Sequence, residues 1–176
     1  PPDSWDDPQA YSQFLAEIKT ARLLDDWISE RAERDITDEY RVGMGDVHRY
    51  VRTAEWLMYS TSEVSRVIGT GNLLPVLRRL RSRLKYGVRE SLLELVALRG
   101  IGRVRGRMLY NHGYTDLKEL YSAPVEAIAR VPSVGSTIAQ SIKKQLGIDV
   151  EETPPFTEDR EETQDTPGVQ TLLDDF

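Results

Sequence analysis

Apolar residues recur at three- and four-residue steps over residues 8–34, where Tyr11, Phe14, Leu15, Ile18, Leu23, Leu24, Trp27 and Ile28 line one stripe. The pattern predicts a long amphipathic helix. It breaks over 36–46, "ITDEYRVGMGD", where two glycines fall close together and Asp46 sits where a helix N-cap belongs. A helix is predicted over 47–60, its stripe formed by Val47, Tyr50, Val51, Ala54, Leu57 and Met58, and another over 61–68. "GTGN" at 69–72 reads as a turn, and Pro75 suits the first turn of a helix over 73–85. Short helices follow over 88–98, 103–111, 116–121, 124–130 and 135–146, separated by Gly, Pro or Asp. No stretch alternates as a strand would. The expected fold is all-α, with a helical bundle over 1–87 and a smaller helical unit over 88–147. Beyond Gly147, residues 148–169 are acidic and Pro-containing with little to bury, and read as a disordered linker.

The smaller unit contains an internal repeat. Leu95, Leu98, Gly100, Gly102, Gly106 and Leu109 are matched 33 residues later by Ile128, Val131, Ser133, Gly135, Ala139 and Ile142. Both copies fit a helix-hairpin-helix pattern: two apolar residues, Gly-x-Gly, then a small and an apolar residue on the second helix. A tight turn between helices needs positive φ, which Gly adopts without steric cost. Gly100 and Gly102 leave the backbone open to a phosphate, and the helix starting near Gly102 aims its free N–H groups at the same place. Gly106 lets the two helices touch. In the second copy Ser133 stands where Gly100 stands in the first, followed by Gly135 and Ser136. A purely structural corner is the rival reading of both copies. A dinucleotide loop is excluded, because the third Gly is one residue late and the preceding segment is helical.

Charge sharpens this picture. The net charge is −6, yet residues 41–148 carry eighteen bases and eight acids, between acidic segments at 1–40 and 149–176. Residues 78–107 alone hold ten bases against Glu90 and Glu94. A basic centre of this density points to a polyanion and to salt-dependent binding. In the first hairpin Arg103 and Arg107 share a face with Tyr110 and are the expected DNA contacts, while Arg105 points elsewhere, toward a neighbouring domain or a part of the longer protein outside this stretch.

On the 47–60 helix, Trp56 lies opposite the centre of the apolar stripe, with Arg49 and Arg52 on its side. An exposed Trp aligned with Arg is what a surface for stacking single-stranded bases needs. Packing of Trp56 against another helix is the alternative. With no Cys, and with His48 and His112 far apart, no metal site is expected. No apolar run approaches the roughly 20 residues of a membrane span, and no signal peptide opens the chain. Its start, Pro-Pro without Met, reads as a piece of a longer protein.

Three segments, "GMGDVHRYVRTAEWLMYS", "LRSRLKYGV" and "LVALRGIGRVRGRMLYNHGY", closely resemble the C-terminal part of the archaeal Ski2-like superfamily 2 DNA helicases, the Hjm type, related to the helicase part of DNA polymerase theta. The resemblance covers about 10–147. It implies a bundle domain whose ratchet helix stacks Arg49 and Trp56 on bases, with Arg52 beside them. It further implies a helix-hairpin-helix domain that holds the exiting strand as a brake through Arg103, Arg105 and Arg107. Gly106 departs from the Ala usual in the family there. The parent enzyme would unwind DNA 3′ to 5′ using ATP and Mg in an upstream motor, act at stalled replication forks in repair and recombination, and reside in the archaeal cytoplasm with the nucleoid. This stretch has no Walker A motif and no DExH box, so by itself it is expected to need no cofactor and to be no enzyme, only a binder of single-stranded and forked DNA.

The last residues, "QTLLDDF", resemble the peptide that docks on the sliding clamp PCNA, with Gln170, Leu173 and Phe176 at the spacing of that motif. Two other readings share some of these features: the DNA-binding tail of an XPF-type structure-specific nuclease, and a non-catalytic PCNA adaptor whose hairpins are only structural.

Overall fold

In a computed structural model of the chain, residues 1–148 are described. Among them every regular element is helical. Four helices build the bundle: α1 (Pro8–Ile28), α2 (Glu33–Tyr40), α3 (Met44–Val67) and α4 (Leu74–Tyr86). Its core gathers Leu23, Trp27 and Ile28 from α1, Ile36 and Tyr40 from α2, Val47 and Val51 from α3, and Leu84 from α4. Leu15 and Ile18, which the apolar stripe placed inward, are 47% and 51% exposed, so only the second half of α1 is buried.

The helix boundaries differ from expectation at three places, each for a local reason. The helix expected over 8–34 stops at Ile28, because Glu30 takes a left-handed backbone (φ 66°) and redirects the chain. The expected break over 36–46 is mostly α2, a charged helix that buries just Ile36 and Tyr40, one turn apart. It is pinned by Arg31 and the Tyr40 hydroxyl, which both donate to the Asp26 carboxylate at 2.8 and 2.7 Å. The helices expected over 47–60 and 61–68 are one helix, α3. Its "STS" run does not break it, since Thr61 and Ser62 donate their hydroxyls to the carbonyls of Leu57 and Met58 four residues back. Gly43 is the N-cap of α3, and Asp46 sits one turn in, accepting from the Gly43 N–H at 3.2 Å.

The second unit holds α5 (Leu93–Val96), α6 (Arg103–Asn111), α7 (Leu117–Ser122), α8 (Val125–Ala129) and α9 (Gly135–Gln145), with a 3-10 turn at Glu90–Leu92 where the expected 88–98 helix begins. α5 and α6 form one hairpin, α8 and α9 the other. The repeat is visible in the backbone. Ile101 donates to the Leu98 carbonyl and Val134 to the Val131 carbonyl, both at 3.1 Å and 33 positions apart. The matched residues Leu95, Leu109, Ile128, Ala139 and Ile142 are fully buried in one shared core. Gly106 is buried, and a Cβ there would lie 3.0 Å from Val96 Cγ1, so this glycine permits the close approach of α6 to α5.

Candidate nucleic-acid interface

Two surfaces carry the residues singled out in the sequence. The first is a flank of α3. Trp56 is 64% exposed and Arg52 is also exposed. Arg49 lies two turns before Trp56 on the same side, paired with Asp46 at 3.0 Å and with its guanidinium 5.3 Å from the Tyr50 ring. The opposite flank, carrying Val47 and Val51, faces the core. At 64% exposure Trp56 is not buried against another helix among the described residues. Leu57, counted in the apolar stripe, is instead 48% exposed, while its neighbour Met58 packs against the core.

The second surface is the pair of hairpin turns. Gly100 has φ +84° and Gly102 is extended, followed directly by the first turn of α6. In the second copy Ser133 adopts φ +67° at the position of Gly100, a conformation costly for a residue with a Cβ. Gly135 and Ser136 are exposed at the start of α9. Arg105 joins the two turns. Its guanidinium donates to the Ser133 carbonyl at 2.7 Å and to the Gly100 carbonyl at 2.9 Å. Gln145 adds a second tie, accepting from the Arg99 N–H at 2.6 Å and donating to the Arg99 carbonyl at 3.1 Å.

The α6 arginines divide their contacts. Arg103 and Arg107, expected to reach for DNA, contact the end of α1 and the residues after it, and Arg105, expected to face a neighbouring domain or a part of the parent outside this stretch, bonds the two hairpin turns. The reason is an interlock built on the end of α1. Arg107 makes a two-pronged ion pair with Glu30, both bonds 2.7 Å long. Glu30 also accepts from the Arg89 N–H at 2.8 Å. Arg103 lies 4.9 Å from the Trp27 ring and donates to the Arg31 carbonyl. Arg83 and Arg89 donate to the Ile28 and Ser29 carbonyls. The last carbonyls of a helix lack intrahelical partners and carry its negative dipole end, so guanidinium groups are the natural caps. Tyr110 packs on the second core beneath Arg107, whose guanidinium is 5.0 Å from its ring.

Burial would raise the Glu30 carboxyl, but the hydrogen bonds from Arg107 and Arg89 outweigh it and hold the group below the ordinary Glu range. The pair also raises Arg107. Burial lowers Arg103, and its Nη1 atom is enclosed without a partner. Glu30 and Trp27 are the residues that sequence reasoning missed as organisers. The Trp27 N–H donates to the Leu84 carbonyl at 2.8 Å, its ring meets His48 nearly at right angles, and Arg103 lies over it. Gln170, Leu173 and Phe176 lie outside the described residues.

Comparison with known proteins covers both units. Residues 1–87 match the family model described as archaeal helicase, domain 4, and residues 92–147 match that of the SAM-like helix-hairpin-helix tandem. The chain is similar to the ATP-dependent DNA helicase Hel308 of Methanocella arvoryzae, 42% identical over 98% of this chain and 23% of that protein. The Hel308 proteins of Pyrococcus horikoshii and Caldivirga maquilingensis are 39% and 44% identical over 83% and 78% of the chain, and over 20% and 18% of their own lengths. The chain thus spans about a fifth of the length of these curated relatives.

Proposed function

Since the chain belongs to the archaeal Hel308 helicase family, we propose that it grips single-stranded DNA for a motor that hydrolyses ATP with Mg. In this reading the parent unwinds DNA 3′ to 5′ at forked substrates in repair and recombination. The chain's share of the work is binding. The observation that carries the proposal is Trp56, 64% exposed on α3 with Arg52 and Arg49 along the same flank. An aromatic face on a long rigid helix offers every base the same stacking partner, so binding tolerates any sequence. Arg49 and Arg52 supply charge without reading bases. The hairpin turns supply a second hold. Open backbone at Gly100 and Gly102, followed by the unpaired N–H groups of α6, suits one phosphate of the strand leaving the bundle, with Ser133, Gly135 and Ser136 as the weaker counterpart. Because Arg103 and Arg107 are engaged with the end of α1, their role is to hold the hairpin unit against the bundle, and Arg105 keeps both turns aligned.

The test is titration of a labelled oligothymidylate with wild type and Trp56→Ala. Loss of one stacked base weakens binding roughly tenfold, with helicity unchanged because the side chain is exposed. Equal affinity would overturn the proposal. The C-terminal peptide is proposed to bind the PCNA clamp through Gln170, Leu173 and Phe176. Deleting 170–176 is expected to abolish clamp binding and leave DNA binding intact, and equal clamp binding would remove this part.

A further inference from the structure

The bundle carries a second basic feature that neither the stacking helix nor the hairpins account for. Arg78, Arg81 and Lys85 project from one face of α4 at steps of three and four residues. Together with Ser82 of α4 and Glu55 of α3 they line an open cleft of about 370 Å³ between the two helices. All three cations are exposed, and among the described residues none is paired with a carboxylate. Arg78 Nε reaches only the Leu74 carbonyl, at 3.5 Å. The Lys85 ammonium lies 5.0 Å from the Tyr86 ring, and the Arg81 guanidinium lies 5.3 Å from the Tyr59 ring. Neighbouring basic residues with other duties show the contrast: Arg79 pairs with Glu90 and Arg83 caps α1.

Tyr59 connects this cleft to the stacking face. It is 47% exposed, one turn beyond Trp56 on the same flank of α3, with Arg52 one turn before Trp56. The surface therefore runs continuously from the Trp56 ring, across Arg52 and Tyr59, to the three cations of α4. The one acid within it, Glu55, sits on the α3 wall and would repel a phosphate there.

We infer that α4 is a phosphate rail: Arg78, Arg81 and Lys85 hold the backbone of the strand whose base stacks on Trp56. The inference rests on the stacking role proposed for Trp56. A base on the ring leaves its sugar-phosphate on one side or the other, and the three cations of α4 select the α4 side against the partial repulsion of Glu55. Cations without ion pairs keep their full charge for a polyanion, and the phosphates break no internal salt bridge when they bind. The rail is indifferent to sequence, as phosphate contacts are.

The experiment measures the affinity of an oligothymidylate for the full chain across a salt series. Four proteins are compared: wild type, Trp56→Ala, the triple variant Arg78→Gln/Arg81→Gln/Lys85→Gln, and a control of equal charge change, Lys19→Gln/Arg34→Gln/Arg66→Gln. Each phosphate contact on a single strand contributes about 0.7 to the slope of log K against log salt, so the rail variant is expected to lower the slope by about 2. Its affinity at low salt falls at least tenfold, while the control moves little. Glu55→Gln tightens binding severalfold, a sign that no structural role for the cleft would give. Trp56→Ala weakens binding with an unchanged slope. A rail variant with wild-type slope and affinity, beside a weakened Trp56→Ala, overturns the rail alone and leaves the face to an acidic protein partner. A control that falls as far as the rail variant also overturns it, since binding would then follow net charge rather than place.

Discussion

At Gly87 the chain leaves no room for a side chain. This residue ends α4 with φ +63°, and a Cβ there would lie 2.5 Å from the Trp27 ring. Trp27 is 5% exposed and fixed by its bond to the Leu84 carbonyl, so it cannot yield. Gly87→Ala combines overpacking with a strained backbone and is expected to cost about 2–3 kcal/mol. Urea unfolding of the variant measures it. Gly45→Ala, in the first turn of α3 with nothing within 4 Å of the added carbon, is the matched control and should not destabilise. The exposed position of Trp56 was legible because one helix and one stripe sufficed to place it. The α6 arginines could not be read that way. Their angular positions were legible, yet which side faces a neighbour depends on α1, more than seventy positions earlier in the chain.

The elements meet through the end of α1. There the Arg107–Glu30 pair, the Arg103–Trp27 stack and the caps from Arg83 and Arg89 join the two units. The Arg107–Glu30 pair is mostly buried, with side chains 28% and 11% exposed, so removing one partner costs more than a surface pair would. Glu30→Gln is expected to lose about 2 kcal/mol of docking free energy. Hydrogen exchange would show it as faster opening of α6 with α8 and α9 unaffected. The pH dependence has a definite sign. The Glu30 carboxyl lies below its ordinary value, so its contribution is full above the ordinary Glu range and is lost as pH falls through the lowered value. Small-angle scattering is expected to show the two units separating under acid, and Glu30→Gln should remove that transition. None of this was legible locally. Glu30 follows an amphipathic stripe that gives no hint of stopping, and only its left-handed backbone, imposed by the packing of α2, turns its carboxylate toward α6. By contrast the second helix of each hairpin, α6 and α9, was legible to within a residue, since Gly-x-Gly with flanking apolar residues leaves few other ways to fold, and the repeat doubled the signal.

On the scale of the whole molecule, the α3 flank proposed to bind a strand and the pair of hairpin turns sit on two units joined through Arg103 and Arg107, which sequence alone would assign to DNA. The all-α class was legible because no segment alternates and every short helix is bracketed by Gly, Pro or Asp. The basic centre of the chain divides by structure into cations that fasten the units together and exposed cations, such as Arg78, Arg81 and Lys85, without a carboxylate partner among the described residues. A net charge cannot make that division. The most direct measurement is photo-cross-linking of a single strand carrying iodouracil at one position, with the attached peptides identified by mass spectrometry. The account predicts cross-links on Trp56 and its neighbours between Arg49 and Tyr59. Cross-links confined to other helices, with none between 49 and 59, would contradict it.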